Sequence, residues 1–146
     1  MLVFVMVMCM KNTAFAGETF DGFVNLSTDC PVQGGVSFYG TDRPSASDYV
    51  NLNNEALEFS GEANTVILYS NKCFTGKSTI SYEITNDSSS RLTVKFYDTE
   101  NWFGLSCDEI IVEANSTIKG TRNGFEKDHY YYMSFSKPCK GKGKVY

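Results

Sequence analysis

Apolar and polar side chains alternate with period two through much of this chain, and rarely with period 3.6. Alternate residues of a strand face opposite sides, so this spacing describes half-buried β-structure. Residues 23–26, 36–39, 65–69, 78–84, 92–97, 109–113 and 130–136 read as strands. They are rich in the Val, Ile, Thr, Tyr and Phe that suit a pleated surface. Turn-forming clusters separate them, at Gly34-Gly35 and at residues 40–44, 71–76, 86–90 and 121–124. Residues 48–59 fit either a short helix or two short strands. Seven or more strands at this spacing predict an all-β fold, an antiparallel β-sandwich closed over one core. No linker or composition break divides residues 17–146, which read as one domain.

The first sixteen residues stand apart. Residues 2–10 form an apolar run too short to cross a bilayer but of the length of a signal-peptide core. Ala14 and Ala16 supply the small-x-small pattern of a cleavage site, although no Lys or Arg precedes the run. Residues 1–16 are therefore expected to be a signal peptide and the protein to be secreted. The remaining 130 residues carry twelve basic and seventeen acidic side chains, a charge of -5. Four cysteines stay: Cys30, Cys73, Cys107 and Cys139. An even number in an exported chain implies two disulfides, with three connectivities open. Sequons at Asn25, Asn86 and Asn115 make these the expected glycosylation positions.

Several function classes are disfavoured. A net charge of -4 argues against a nucleic-acid binder, which must neutralise phosphates. A single histidine, His129, leaves little room for a catalytic triad or a zinc site, and no Cys-x-x-Cys occurs. His129 reads as a strand-edge residue and Ser88–Ser90 as a polar turn. No enzymatic activity and no membrane span are expected. Lys137, Lys140, Lys142 and Lys144 interleave with glycine and read as a basic tail over residues 137–146, able to make weak contact with an anionic surface. Tyr130, Tyr131 and Tyr132 must turn at least one ring outward on a strand, which makes them candidate binding residues.

Two family resemblances extend this reading. Leu92, Val94 and Phe96 alternate into Tyr97-Asp98-Thr99-Glu100, a pattern similar to the central strand of CUB domains. Asp108, Ile110 and Val112 resemble the strand that follows, with Cys107 in the intervening loop. The resemblance implies a CUB-like jelly roll with Cys30–Cys73 and Cys107–Cys139 bridges. It also implies a calcium site on Glu100 and Asp108, assisted by Asp98. No other cofactor is implied. Lys137 stands where a third carboxylate is expected, and no Trp follows Cys73; the sole Trp is Trp102. Tyr69 to Ser78 and Tyr97 to Ser106 instead resemble the hairpin motif of βγ-crystallins, whose calcium motif is similar to Asn86-Asp87 with Ser90. The expected function is a secreted, non-catalytic module that recognises a protein or glycan. The alternative is a small toxin-like effector or protease inhibitor on a crystallin-like sandwich, presenting Lys72 in the loop Asn71-Lys72-Cys73-Phe74.

Overall fold

A computed structural model describes residues 36–146. Among them are eleven strands and no helix: β1 (Val36–Gly40), β2 (Tyr49–Asn51), β3 (Leu57–Ala63), β4 (Leu68–Ser70), β5 (Cys73–Thr75), β6 (Thr79–Asn86), β7 (Leu92–Asp98), β8 (Ser106–Val112), β9 (Ser116–Asn123), β10 (Tyr131–Phe135) and β11 (Cys139–Val145). Residues 48–59 thus resolve as two strands. The expected strand at residues 23–26 and the signal segment lie outside the described residues.

The strands form two sheets of a sandwich. Sheet I runs β1-β3-β11-β6-β9. Sheet II centres on β10, with β7 and then β8 on one side. On its other side lie β4, flanked by β1, and β5, flanked by β2. β1 joins the sheets, pairing with β3 through residues 36–38 and with β4 through Tyr39 and Gly40. Most pairings are antiparallel, but β1–β3 and β2–β5 are parallel, so both sheets are mixed.

The alternation predicts which side chains meet. Ile80, Tyr82 and Ile84 of β6 face Leu92, Val94 and Phe96 of β7 and Tyr131, Met133 and Phe135 of β10 in one core. Phe59 of sheet I meets Phe135 of sheet II with ring centroids 5.2 Å apart. Phe125 packs edge-on against Tyr131 at 4.8 Å and against Phe96 at 5.8 Å. Each such side chain stabilises the fold by roughly 1.5–3 kcal/mol relative to leaving it in water.

Three expectations are corrected. Residues 139–145 are no tail but β11, an inner strand of sheet I between β3 and β6. Its glycines lie where side chains have no room: a Cβ on Gly143 would approach the Phe59 ring to 2.8 Å and would collide with the Glu83 carbonyl. The lysines project outward, Lys140 to Glu62 at 3.2 Å and Lys144 to Glu83 at 3.9 Å. The Cys107–Cys139 bridge is not present. Cys107 is the second residue of β8 in sheet II and Cys139 begins β11 in sheet I, and both are free thiols, as is Cys73. Cys30 lies outside the described residues. Asn86, finally, is fully buried, with Nδ2 within hydrogen-bond distance of the Ser90, Val112 and Glu113 carbonyls. The atom that would carry a glycan is committed to the fold. Asn115 is exposed in a left-handed turn, at φ 51°, and Asn25 lies outside the described residues.

Candidate functional site

The outer face of sheet II is assembled by register. Residues opposite one another across a ladder share a face, so Ser106, Tyr97 and Tyr132 form one row across β8, β7 and β10. Glu109, Lys95, Ser134 and Tyr69 form the next, and Ile111, Thr93 and Ser136 the third. Tyr97 stacks on Tyr132 with centroids 5.1 Å apart and planes 11° from parallel. Tyr69 leans on Tyr132 from the other side at 6.1 Å. The exposed Arg43 binds the Tyr69 hydroxyl, which raises its pKa, and lies beside Tyr132 and Tyr97. Burial raises the Tyr132 pKa, opposed by Arg43. Lys95 and Glu109 pair at 3.5 Å, and the Ser136 hydroxyl accepts from the Thr93 amide at 2.8 Å. Ile67, Thr93, Lys95, Tyr97, Glu109 and Ser134 are among the residues lining an open groove of about 390 Å³ on this face. Such a surface combines ring faces, hydroxyls and a balanced charge pair.

The expected tyrosine site is divided. Tyr131 faces the core, its hydroxyl accepting from the Glu126 amide at 2.8 Å. Tyr132 faces outward but is only 6% exposed, covered by Tyr69 and Tyr97. Tyr130 precedes β10 and packs on Tyr49 at 5.0 Å. Sequence reasoning did not select Tyr69, Tyr97 or Arg43 as binding residues. The two tyrosines occupy outward positions at or near strand ends, which was the available signal; Arg43, in a loop, carried none.

The three carboxylates expected to hold calcium are engaged by two side chains of the protein, His129 and Arg122. Asp98 meets His129 Nδ1 at 2.8 Å and Glu100 meets Nε2 at 3.4 Å. The hydrogen bond to Asp98 is the main cause that raises the His129 pKa. Asp108 pairs instead with Arg122 of β9 at 3.1 Å. Among the described residues no group of three or more His, Cys, Asp and Glu side chains is arranged to hold a metal. In the crystallin-like alternative, Asn86 Oδ1 already accepts from the Ser88 amide and hydroxyl. The inhibitor-like loop is equally committed: Cys73 and Phe74 are buried in β5 between β2 and β10, and Lys72 pairs with Asp48 at 3.5 Å. A protease needs such a segment extended and protruding.

No family model and no curated protein matches the chain. A solved structure of PirA is similar over 62% of this chain and 91% of its own, at 15% identity and a TM-score of 0.41. A likeness at that level assigns neither fold nor function.

Proposed function

We propose that this protein is a secreted, non-catalytic binding module that recognises a glycan through the outer face of sheet II. The observation that carries the reading is the half-exposed Tyr97 ring, held flat on Tyr132 beside the Lys95–Glu109 pair and the Thr93, Ser134 and Ser136 side chains. An aromatic face is electron-rich and attracts the C–H edges of a sugar ring, while hydroxyls and charged groups pair with its hydroxyls. Rigid strands hold these groups in place before the ligand arrives, which lowers the entropy cost of binding. The signal-peptide-like residues 1–16 support an extracellular setting.

Glycan-array screening of the folded protein, followed by calorimetry on the retained sugars, tests the proposal. Tyr97→Ala should weaken binding at least about tenfold, given the contact an aromatic platform supplies. Lys142→Ala, on the other sheet, should leave it unchanged. Retention of no glycan, or binding indifferent to Tyr97→Ala and Lys95→Ala together, would overturn it.

A further inference from the structure

The β7–β8 loop carries the most exposed large apolar side chains among the described residues: Trp102 is 93% exposed, Phe103 82% and Leu105 66%. Monomeric proteins scatter single apolar residues over their surfaces, but three of this size on one tight turn mark an interaction site. At such exposure the three side chains protrude from the surface rather than fold back onto it. No charged residue lies between Glu100 and Asp108.

The tip is a hydrogen-bonded turn. The Asn101 amide donates to the Asp98 carbonyl at 3.2 Å and the Gly104 amide to the Asn101 carbonyl at 3.0 Å. The Asn101 side chain serves both directions, its Oδ1 accepting from the Phe103 amide at 3.1 Å and its Nδ2 donating to the Leu105 carbonyl at 3.2 Å. Gly104 takes the left-handed conformation, φ 61°, that closes the turn. These bonds hold the turn in one shape, so the apolar side chains are presented together and little ordering is left to be done on binding.

The geometry points to insertion of this loop into the headgroup–acyl boundary of an electrically neutral phospholipid bilayer. A fluid bilayer accepts a protruding apolar tip without a preformed pocket, and Trp is the side chain that best suits that boundary. Charge selects the neutral surface. No side chain between Glu100 and Asp108 carries a charge, and at the loop base His129 is engaged by Asp98 and Glu100 and Arg122 by Asp108, so neither is offered to an anionic headgroup. The inference is independent of the glycan site.

Because Trp102 is the sole tryptophan, its own emission reports the event. The full protein is titrated with phosphatidylcholine vesicles, plain or brominated along the acyl chain, in low and high salt. The expected result is a blue shift of emission and quenching by bromine at shallow depth, about 5–10 Å below the surface. Both should persist in high salt. Phe103→Ser with Leu105→Ser keeps the reporter and should lower the partition coefficient by roughly a hundredfold or more, the scale of withdrawing two large apolar side chains from the bilayer. Both residues are exposed, so an unchanged circular dichroism spectrum is expected. Vesicle attachment through residues 2–10 would leave Trp102 in water, so co-sedimentation without a blue shift would overturn the proposal. A shift confined to anionic vesicles and abolished by salt would do the same, as would a concentration-dependent shift without lipid, the mark of a second copy covering the tip.

Discussion

Asn86 shows how one buried side chain can close a fold: it ties the end of β6 to the turn at residues 87–90 and to the end of β8. Asn86→Ala should cost about 1–3 kcal/mol in urea unfolding, because it removes the side-chain donor from the buried Val112 carbonyl, while the Ser90 and Glu113 carbonyls keep the Ser88 and Ser116 hydroxyls. Expressed through a secretory pathway, the protein should carry sugar at Asn115 and none at Asn86, as peptide mass spectrometry will show. His129 adds a pH-dependent contribution. Its pKa is raised in the folded state by Asp98 first and then by the neighbouring carboxylates. The stability it contributes is fully present below the ordinary imidazole value and is lost as pH rises through the raised one. The melting-temperature difference between the protein and His129→Gln should therefore be largest in mild acid and shrink above neutrality. The thiols differ sharply in environment. Burial pushes Cys73 up to about 11 and Cys139 up to about 12, whereas Cys107 is exposed, its Sγ hydrogen-bonding the Phe96 carbonyl at 3.4 Å. A thiol-reactive probe should reach Cys107 in the native protein and Cys73 and Cys139 only on unfolding, as peptide-resolved labelling will tell.

At the scale of elements, β11 differs most from its appearance in the sequence. Cys-Lys-Gly-Lys-Gly-Lys-Val alternates strictly, but its inward positions include two glycines, which carry no hydrophobic signal. The glycines fall on the inward side by alternation with the buried Cys139 and Val145, and β3 and β6 flank the strand on both sides. Deleting residues 137–146 should abolish the cooperative transition in circular dichroism, since β3 and β6 each lose a partner. A solvated tail would come off without consequence. Gly143→Val should destabilise by about 3 kcal/mol or more, beyond the usual overpacking cost, because an inner strand cannot move aside. The strand β9 was illegible for a related reason. Ile118 is its one apolar side chain, and Gly120 sits under the Tyr82 ring of β6, where a Cβ would meet Cζ at 2.8 Å. An aromatic on the neighbouring strand covers that glycine, a compensation visible only once the two are paired.

For the molecule as a whole, the two sheets enclose one core while the single tryptophan stays outside it. Unfolding should therefore change Trp102 emission little, although circular dichroism reports a full transition. The strands over residues 78–84, 92–97 and 130–136 were legible because burial of one face imposes period two on the sequence. That same pattern determined which side chains of β6 and β7 point inward. It could not determine the neighbours. Backbone ladders are blind to side chains, so nothing in the residues of β1 announces that it joins both sheets, or that β1 pairs in parallel with β3 and β2 with β5. The candidate sites follow the same division. Tyr69, Tyr97 and Tyr132 were each visible as strand aromatics, yet only the register between β7, β10 and β4 stacks them into one surface. The carboxylates of residues 98–108 were visible as a cluster along the chain. Regular alternation with Ile110 and Val112, opposite Phe96, places Asp108 on the inner side, where it reaches Arg122 in the other sheet, while Asp98 and Glu100, beyond the bulge at Cys107, close on His129. Sequence alone determined the faces of the strands, because burial acts on each residue separately. Tertiary structure decided the partners, because a contact between distant residues exists only after the chain has brought them together.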